Sequence, residues 1–290
     1  MSQIAAKLFL VTHPYRELTP VAGGRAQIRA AGHQPGSALI WQMAPQMEGR
    51  SLAFERPGGL SLIVILPPAR EITHDPAVLQ AVNRCRPHGI LPFHDDPAPQ
   101  DIAQVLRRPP NDLAAEVTDY LTWRGLVVDR DTTHLIRRII EHSADLRSVT
   151  ALSRTMYLSR RALGRRLMSR GLPVPSHWLQ LGRLLRLAIR LQNSDASVFS
   201  IACDAGYPDG FSVSNQMQRL VGFRPSQVRD YLGWEWILEE WLRREATTGG
   251  LAPVMAKHVT TGERSGHLEP SAARAGRPPL RTKDHSKAPH

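Results

Sequence analysis

Over the first hundred residues the apolar positions come in short unbroken runs; from residue 111 onward they recur every three or four. "KLFLVTH" (7–13), "SALIWQM" (37–43), "LSLIVIL" (60–66) and "GILPF" (89–93) are runs bounded by Gly or Pro, the pattern of buried parallel strands. "DPAVLQAVNRC" (75–85) and "PQDIAQVLRR" (99–108) have helical spacing and open on Pro or Asp in the first turn. Strands alternating with helices predict a small α/β layer structure. No element is predicted between residues 14 and 36.

"RRPPN" (107–111) closes that pattern, because proline cannot continue a helix. A helix is expected from about Asn111 to Gly125, with Leu113, Val117, Tyr120, Leu121 and Trp123 apolar, and a second over 132–142. Next come two copies of one pattern. In the first, at 148–169, Val149 and Leu152 face inward, Ser159 caps a second helix that buries Leu163 and Leu167, and Arg160, Arg161, Arg165 and Arg166 project outward. In the second, Ser197 caps a helix with Val198, Ile201, Ala202 and Ala205 on one face, and Gly206 supplies the left-handed residue that ends it. Asp209 then caps a helix that buries Val213, Met217 and Leu220 and shows Ser212, Ser214, Asn215, Gln218 and Arg219. Two short helices across a sharp turn form a helix-turn-helix. Between the copies lies a long helix in "PSHWLQLGRLLRLAIRLQNSD" (175–195). About 18 residues at about 1.5 Å each nearly match the 34 Å pitch of a duplex. From 245 to 290 the composition shifts to Gly, Pro, Ser, Ala and basic residues, which predicts a disordered tail.

Charge sharpens the division. The net charge of +11 is not spread evenly: residues 1–146 balance 15 basic against 15 acidic residues, whereas 147–229 hold 13 Arg, no Lys and 3 acids. A basic helical block beside a neutral neighbour suits a polyanion, most often nucleic acid. Residues 230–242 hold 4 acids and no base, and predict a short acidic helix. Two cysteines, Cys85 and Cys203, are too few for a disulfide scaffold, and Cys203 is expected to be a small buried residue. No apolar run reaches the roughly 20 residues of a membrane span, and no signal peptide is evident, so a cytoplasmic protein without a membrane partner is expected.

The block 146–231 resembles the DNA-binding domain of the AraC/XylS family of bacterial transcription regulators. "SRRALGRRLMSRG" is similar to the family's first recognition helix. Ile201, Ala202, Gly206, Tyr207, Asp209, Ser214, Gly222, Pro225 and Arg229 fall in place in the second half. The resemblance implies a double helix-turn-helix that reads two major-groove segments of double-stranded DNA without a cofactor. Its DNA-binding candidates are Ser159, Arg160, Arg161, Arg165, Arg166, Asp209, Ser212, Ser214, Asn215, Gln218 and Arg219. Three positions depart from the family: Tyr157 stands where glycine is usual in the first turn, and Asn215 and Met217 replace the common Arg and Phe. Asn215 gives up a phosphate contact or reads adenine.

The N-terminal part resembles a shortened two-component receiver. "LIWQMAPQMEG" (39–49) echoes the phosphoacceptor strand and loop, and residues 60–93 echo the fourth strand, fourth helix and fifth strand. In that comparison Trp41 replaces the phosphoacceptor aspartate, Pro67 the Ser/Thr and Leu91 the lysine, while Thr12 and His13 replace the acidic pair. The resemblance then implies no phosphoacceptor, no hard-cation site and a cis peptide before Pro92. His88, His94, Asp95 and Asp96 lack a second ligand cluster, so no metal is expected.

These readings define an α+β protein. Residues 1–110 form a receiver-like α/β domain, 111–145 a helical linker, 146–233 the DNA-binding domain, and 234–290 an acidic helix with a basic tail. The expected function is a non-enzymatic transcription regulator, with RNA polymerase and a second copy of the chain as further candidate partners. The alternative is an adaptor docking an acidic partner such as polymerase. A fragment over 111–245 is expected to keep some DNA affinity.

Overall fold

The computed structural model describes residues 7–43, 56–67, 76–92, 97–127 and 129–261. It is a mixed α and β structure in which helices dominate and one five-stranded sheet lies in the N-terminal part. Strands β1 (Lys7–Val11), β2 (Thr19–Pro20), β3 (Ala38–Gln42), β4 (Ser61–Ile65) and β5 (Gly89–Leu91) lie in the order β2-β1-β3-β4-β5. The four apolar runs are therefore strands. Only β3, β4 and β5 are parallel, however, with Ile40 opposite Ile63 and Val64 opposite Ile90. The expectation of a parallel β1 fails. A turn after Val11 leads directly into β2, so β1 runs antiparallel to both its neighbours. An all-parallel receiver sheet has no such hairpin.

Both faces of the sheet are covered, as the continuous apolar runs require. Leu39, Trp41, Leu62 and Val64 pack under α1 (Gly24–Ala31) and α2 (Pro76–Cys85). Ala38, Ile40, Ile63 and Ile65 pack under α3 (Pro99–Arg107). Helix α1 and strand β2 fill the stretch where none was predicted; α1 has only Ile28 and Ala31 buried, too few to signal itself. The cis X–Pro bond among the described residues is His13–Pro14, not the one before Pro92. His94, Asp95 and Asp96 lie outside the described residues.

From α4 (Leu113–Trp123) and α5 (Arg130–His142) onward the chain is helical, each capped by the aspartate just before it: Asp112 accepts from Ala115 N at 2.9 Å and Asp129 from Thr132 N at 2.9 Å. Their apolar stripes join one core with α6 (Val149–Thr155), α7 (Arg160–Met168), α8 (Pro175–Gln192), α9 (Val198–Asp204), α10 (Gly210–Val221), α11 (Pro225–Asp230) and α12 (Glu235–Thr248). At its centre the rings of Trp178 and Trp241 meet edge to face at 4.8 Å. A further helix, α13 (Pro253–Thr261), buries Val259 and is tied to α4 by His258 Nε2, 2.6 Å from Arg124 O. The end of α12 and all of α13 thus lie within 245–261, where the composition predicted a tail.

Two of the four acids at 230–242 point inward. Glu235 and Glu239 are buried on α12. Glu235 Oε2 pairs with Arg56 Nη1 at 3.1 Å and its Oε1 with Arg86 Nη1 at 2.5 Å, while Arg86 also bonds Glu116. Glu239 receives Arg124 at 2.8 and 3.1 Å and the Tyr120 hydroxyl at 2.8 Å; that hydroxyl accepts from Gly59 N. Burial alone would raise the Glu235 pKa, but Arg56 and Arg86 hold it below the usual value. The Tyr15 hydroxyl adds a second tie, donating to Gly36 O at 2.9 Å and accepting from Leu232 N at 2.7 Å. Sheet and helices therefore share a charged, largely buried seam.

Candidate nucleic-acid interface

Two helix pairs flank α8, an 18-residue helix, along the chain. They are α6–α7 and α9–α10, and their hydrogen bonding repeats. Ser148 and Ser197 cap the first helix of each pair, accepting from Ala151 N at 3.2 Å and Ser200 N at 3.1 Å. Ser159 and Asp209 cap the second, accepting from Ala162 N at 3.1 Å and Ser212 N at 2.6 Å. The turns match as well. Tyr157 N donates to Arg154 O and Leu158 N to Ser153 O, at 3.1 and 2.9 Å. Gly206 N donates to Cys203 O and Tyr207 N to Ala202 O, at 2.8 and 2.9 Å. Tyr157 and Gly206 both lie in the left-handed region, at φ 55 and 73. Tyrosine adopts the glycine geometry there, at a cost of about 1–2 kcal/mol; its side chain is 94% exposed, so no packing offsets that cost.

The caps consume two of the predicted binding residues. Ser159 and Asp209 set where the reading helices begin, and the Asp209 carboxyl is held below its ordinary pKa by the Ser212 amide. Leu163, Leu167, Val213, Met217 and Leu220 are buried, as their spacing requires. Cys203 is exposed instead of buried: Ala202 takes the inward position on α9, and the next residue turns away by about 100°.

Aligning the reading helices on their caps brings three positions into correspondence. On α7 the residues two, six and nine after Ser159 are Arg161, Arg165 and Met168; on α10 those after Asp209 are Phe211, Asn215 and Gln218. All six are exposed and lie opposite the buried stripe of their helix. Arg160, Ser212 and Ser214 sit on the flanks, Ser212 and Ser214 half-buried. Arg219 Nη2 donates to Gln180 Oε1 at 3.2 Å, and Gln218 Nε2 to Gly222 O at 3.2 Å. Asn215 has no side-chain hydrogen-bond partner among the described residues. Arg166 leaves the group: with His134, Arg138 and Arg170 it rims a cavity of about 580 Å³ floored by Leu135, Met156 and Leu158. Sequence reasoning passed over Phe211, which is 81% exposed. Its offset from Asp209, equal to that of Arg161 from Ser159, was the available signal.

The chain is similar to the HTH-type transcriptional activator RhaS of Escherichia fergusonii, with 32% identity over 101 residues. That segment is 35% of this chain and 36% of RhaS, so the chain spans about a third of the length of the curated relative it matches. The relative's name describes an HTH-type transcriptional activator. No family model matches the chain, and no solved structure matches it. No helix among the described residues is long and apolar enough to cross a membrane.

Proposed function

We propose that the protein is a sequence-specific DNA-binding transcription regulator whose α7 and α10 read neighbouring major-groove segments. The observation that carries this reading is the repeat of cap, turn and outward triad before and after α8 in the chain, within the segment that holds 13 Arg and 3 acids. Helix α8, which lies between the two units in the chain, is about 27 Å long at about 1.5 Å per residue, a length near one duplex turn. Arg160 and the flanking arginines bind phosphates and release counterions, while the outward side chains meet base edges. Asn215, unpartnered and exposed, reads adenine rather than phosphate. The division at 1–110, 111–145, 146–233 and 234–290 is part of the same proposal. The α/β part supplies input or dimerisation without phosphorylation, a role supported by the indole of Trp41, buried in β3 where the receiver comparison wants an aspartate.

The test is binding of the full chain to duplexes selected from a random pool, followed across salt. Five or six phosphate contacts give a slope of log K against log salt of about −5. A chain that enriches no sequence, or that binds without salt dependence, overturns the proposal. Arg138, Arg166 and Arg170, which outnumber Asp131 around the same cavity, favour a second reading, an adaptor for an acidic partner such as RNA polymerase. Replacing Arg161, Arg165 and Gln218 separates the two: a regulator loses its sequence preference, whereas an adaptor keeps that preference unchanged and loses its partner.

A further inference from the structure

The two reading helices present different chemistry at corresponding positions. Where α7 offers Arg161 and Arg165, α10 offers Phe211 and Asn215. Each pair is spaced four residues apart, about 6 Å along the helix axis, or roughly two base-pair steps of 3.4 Å. Gln218 and Arg219 are already held at 3.2 Å by Gly222 O and Gln180 Oε1, which leaves Phe211 and Asn215 as the free groups on the outward face of α10.

An exposed phenylalanine by itself means little, since single apolar residues on a surface are ordinary. This one is in the first turn of a capped helix, in line with Asn215, and within the most basic segment of the chain. Guanidinium groups match the two acceptors on the major-groove edge of guanine, a carboxamide matches the donor and acceptor of adenine, and an aromatic side chain matches the methyl group of thymine. A phenyl ring can neither accept from nor donate to a base edge. In the major groove the 5-methyl of thymine is its one apolar counterpart.

We propose that Phe211 is a specificity-determining residue that packs on a thymine 5-methyl group, so that α10 selects A·T pairs while Arg161 and Arg165 direct α7 to guanine. This rests on the DNA-reading function proposed above. The operator is then asymmetric along the protein: a G-containing segment under α7, and an A·T segment about one helical turn away under α10.

The experiment uses the full chain and a duplex selected from a random pool. Each thymine is replaced in turn by deoxyuridine, which removes the methyl and nothing else. For the unaltered protein, one or two such replacements in the A·T segment should weaken binding roughly fourfold, the value of one buried methyl-sized group. Phe211→Ala should already bind more weakly and show no further loss at those thymines, while Phe211→Leu keeps part of the methyl response. Because the side chain is 81% exposed, both variants should melt with the parent. If Phe211→Ala responds to deoxyuridine just as the parent does, or no thymine methyl matters to the parent, the proposal is overturned and the regulator reading stands. If the pool yields no preferred duplex, both fall.

Discussion

Replacing Glu235 by Gln tests the seam between sheet and helices. The carboxylate holds Arg56 at 3.1 Å and Arg86 at 2.5 Å, and the side chains of Arg56 and Glu235 are each 1% exposed. At an effective dielectric near 20, one pair at that separation is worth about 5 kcal/mol. Glutamine keeps the volume and one acceptor, returning about 1 kcal/mol. Arg86 keeps Glu116 as a partner; Arg56 keeps Leu60 O but no carboxylate. The expected loss is about 4 kcal/mol, within the 3–5 kcal/mol typical of breaking a buried pair, and should lower Tm by about 10 °C. Guanidinium unfolding followed by tryptophan fluorescence suits the site, because Arg56 Cζ is 4.1 Å from the Trp123 ring centre and Arg86 Cζ 5.5 Å from that of Trp234. A loss below 1 kcal/mol with an unchanged m-value would refute the reasoning. Exchanging Arg56, Arg86 and Glu235 together for Met, Met and Leu should recover most of the stability, since the one carboxylate this leaves without its arginine, Glu116, is half-exposed and stays in water.

Two further outcomes follow from the same geometry. Tyr157→Gly should raise stability by about 0.5–1 kcal/mol, because it relieves a left-handed tyrosine that packs on nothing; a lower Tm would contradict this. Acid should weaken the seam through Glu235. Its folded pKa lies below its unfolded value, so its contribution is complete above about pH 4.5 and is lost as pH falls through the folded value. The stability gap between the parent and Glu235→Gln, measured by urea unfolding from pH 6 to pH 3, should therefore narrow toward the acid end; a constant gap would exclude Glu235 as the titrating group.

Much of the helical half was legible because caps and periodicity are local signals. Ser148, Ser159, Ser197 and Asp209 announce their helices, and Gly206 the second turn. The left-handed Tyr157 was visible only as a departure from a family pattern, since nothing about tyrosine favours that conformation. The direction of β1 was hidden because an apolar run reads alike in parallel and antiparallel pairs. Least legible was the inward use of Glu235 and Glu239: four acids in a run of thirteen look like a solvated face, and the partners of these two, Arg56, Arg86 and Arg124, lie more than a hundred positions away. The same long reach alters the expectation for a 111–245 fragment. Such a piece keeps Glu235 but lacks both of its arginines, so the full chain is the proper object for binding measurements.

Those separations also set a schedule for synthesis. Arg56 precedes Glu235 by 179 positions, Arg86 by 149, and Arg124 precedes Glu239 by 115. At 5–20 residues per second the ribosome makes the first of these guanidinium groups roughly ten to forty seconds before its carboxylate. During that interval the side of the sheet that receives α12 cannot close over a bare cation, and its arginines stay in water. The nascent chain thus finishes its first half only as it finishes its last described helices, and a ribosome that stops before residue 235 releases a sheet whose Arg56 lacks its carboxylate.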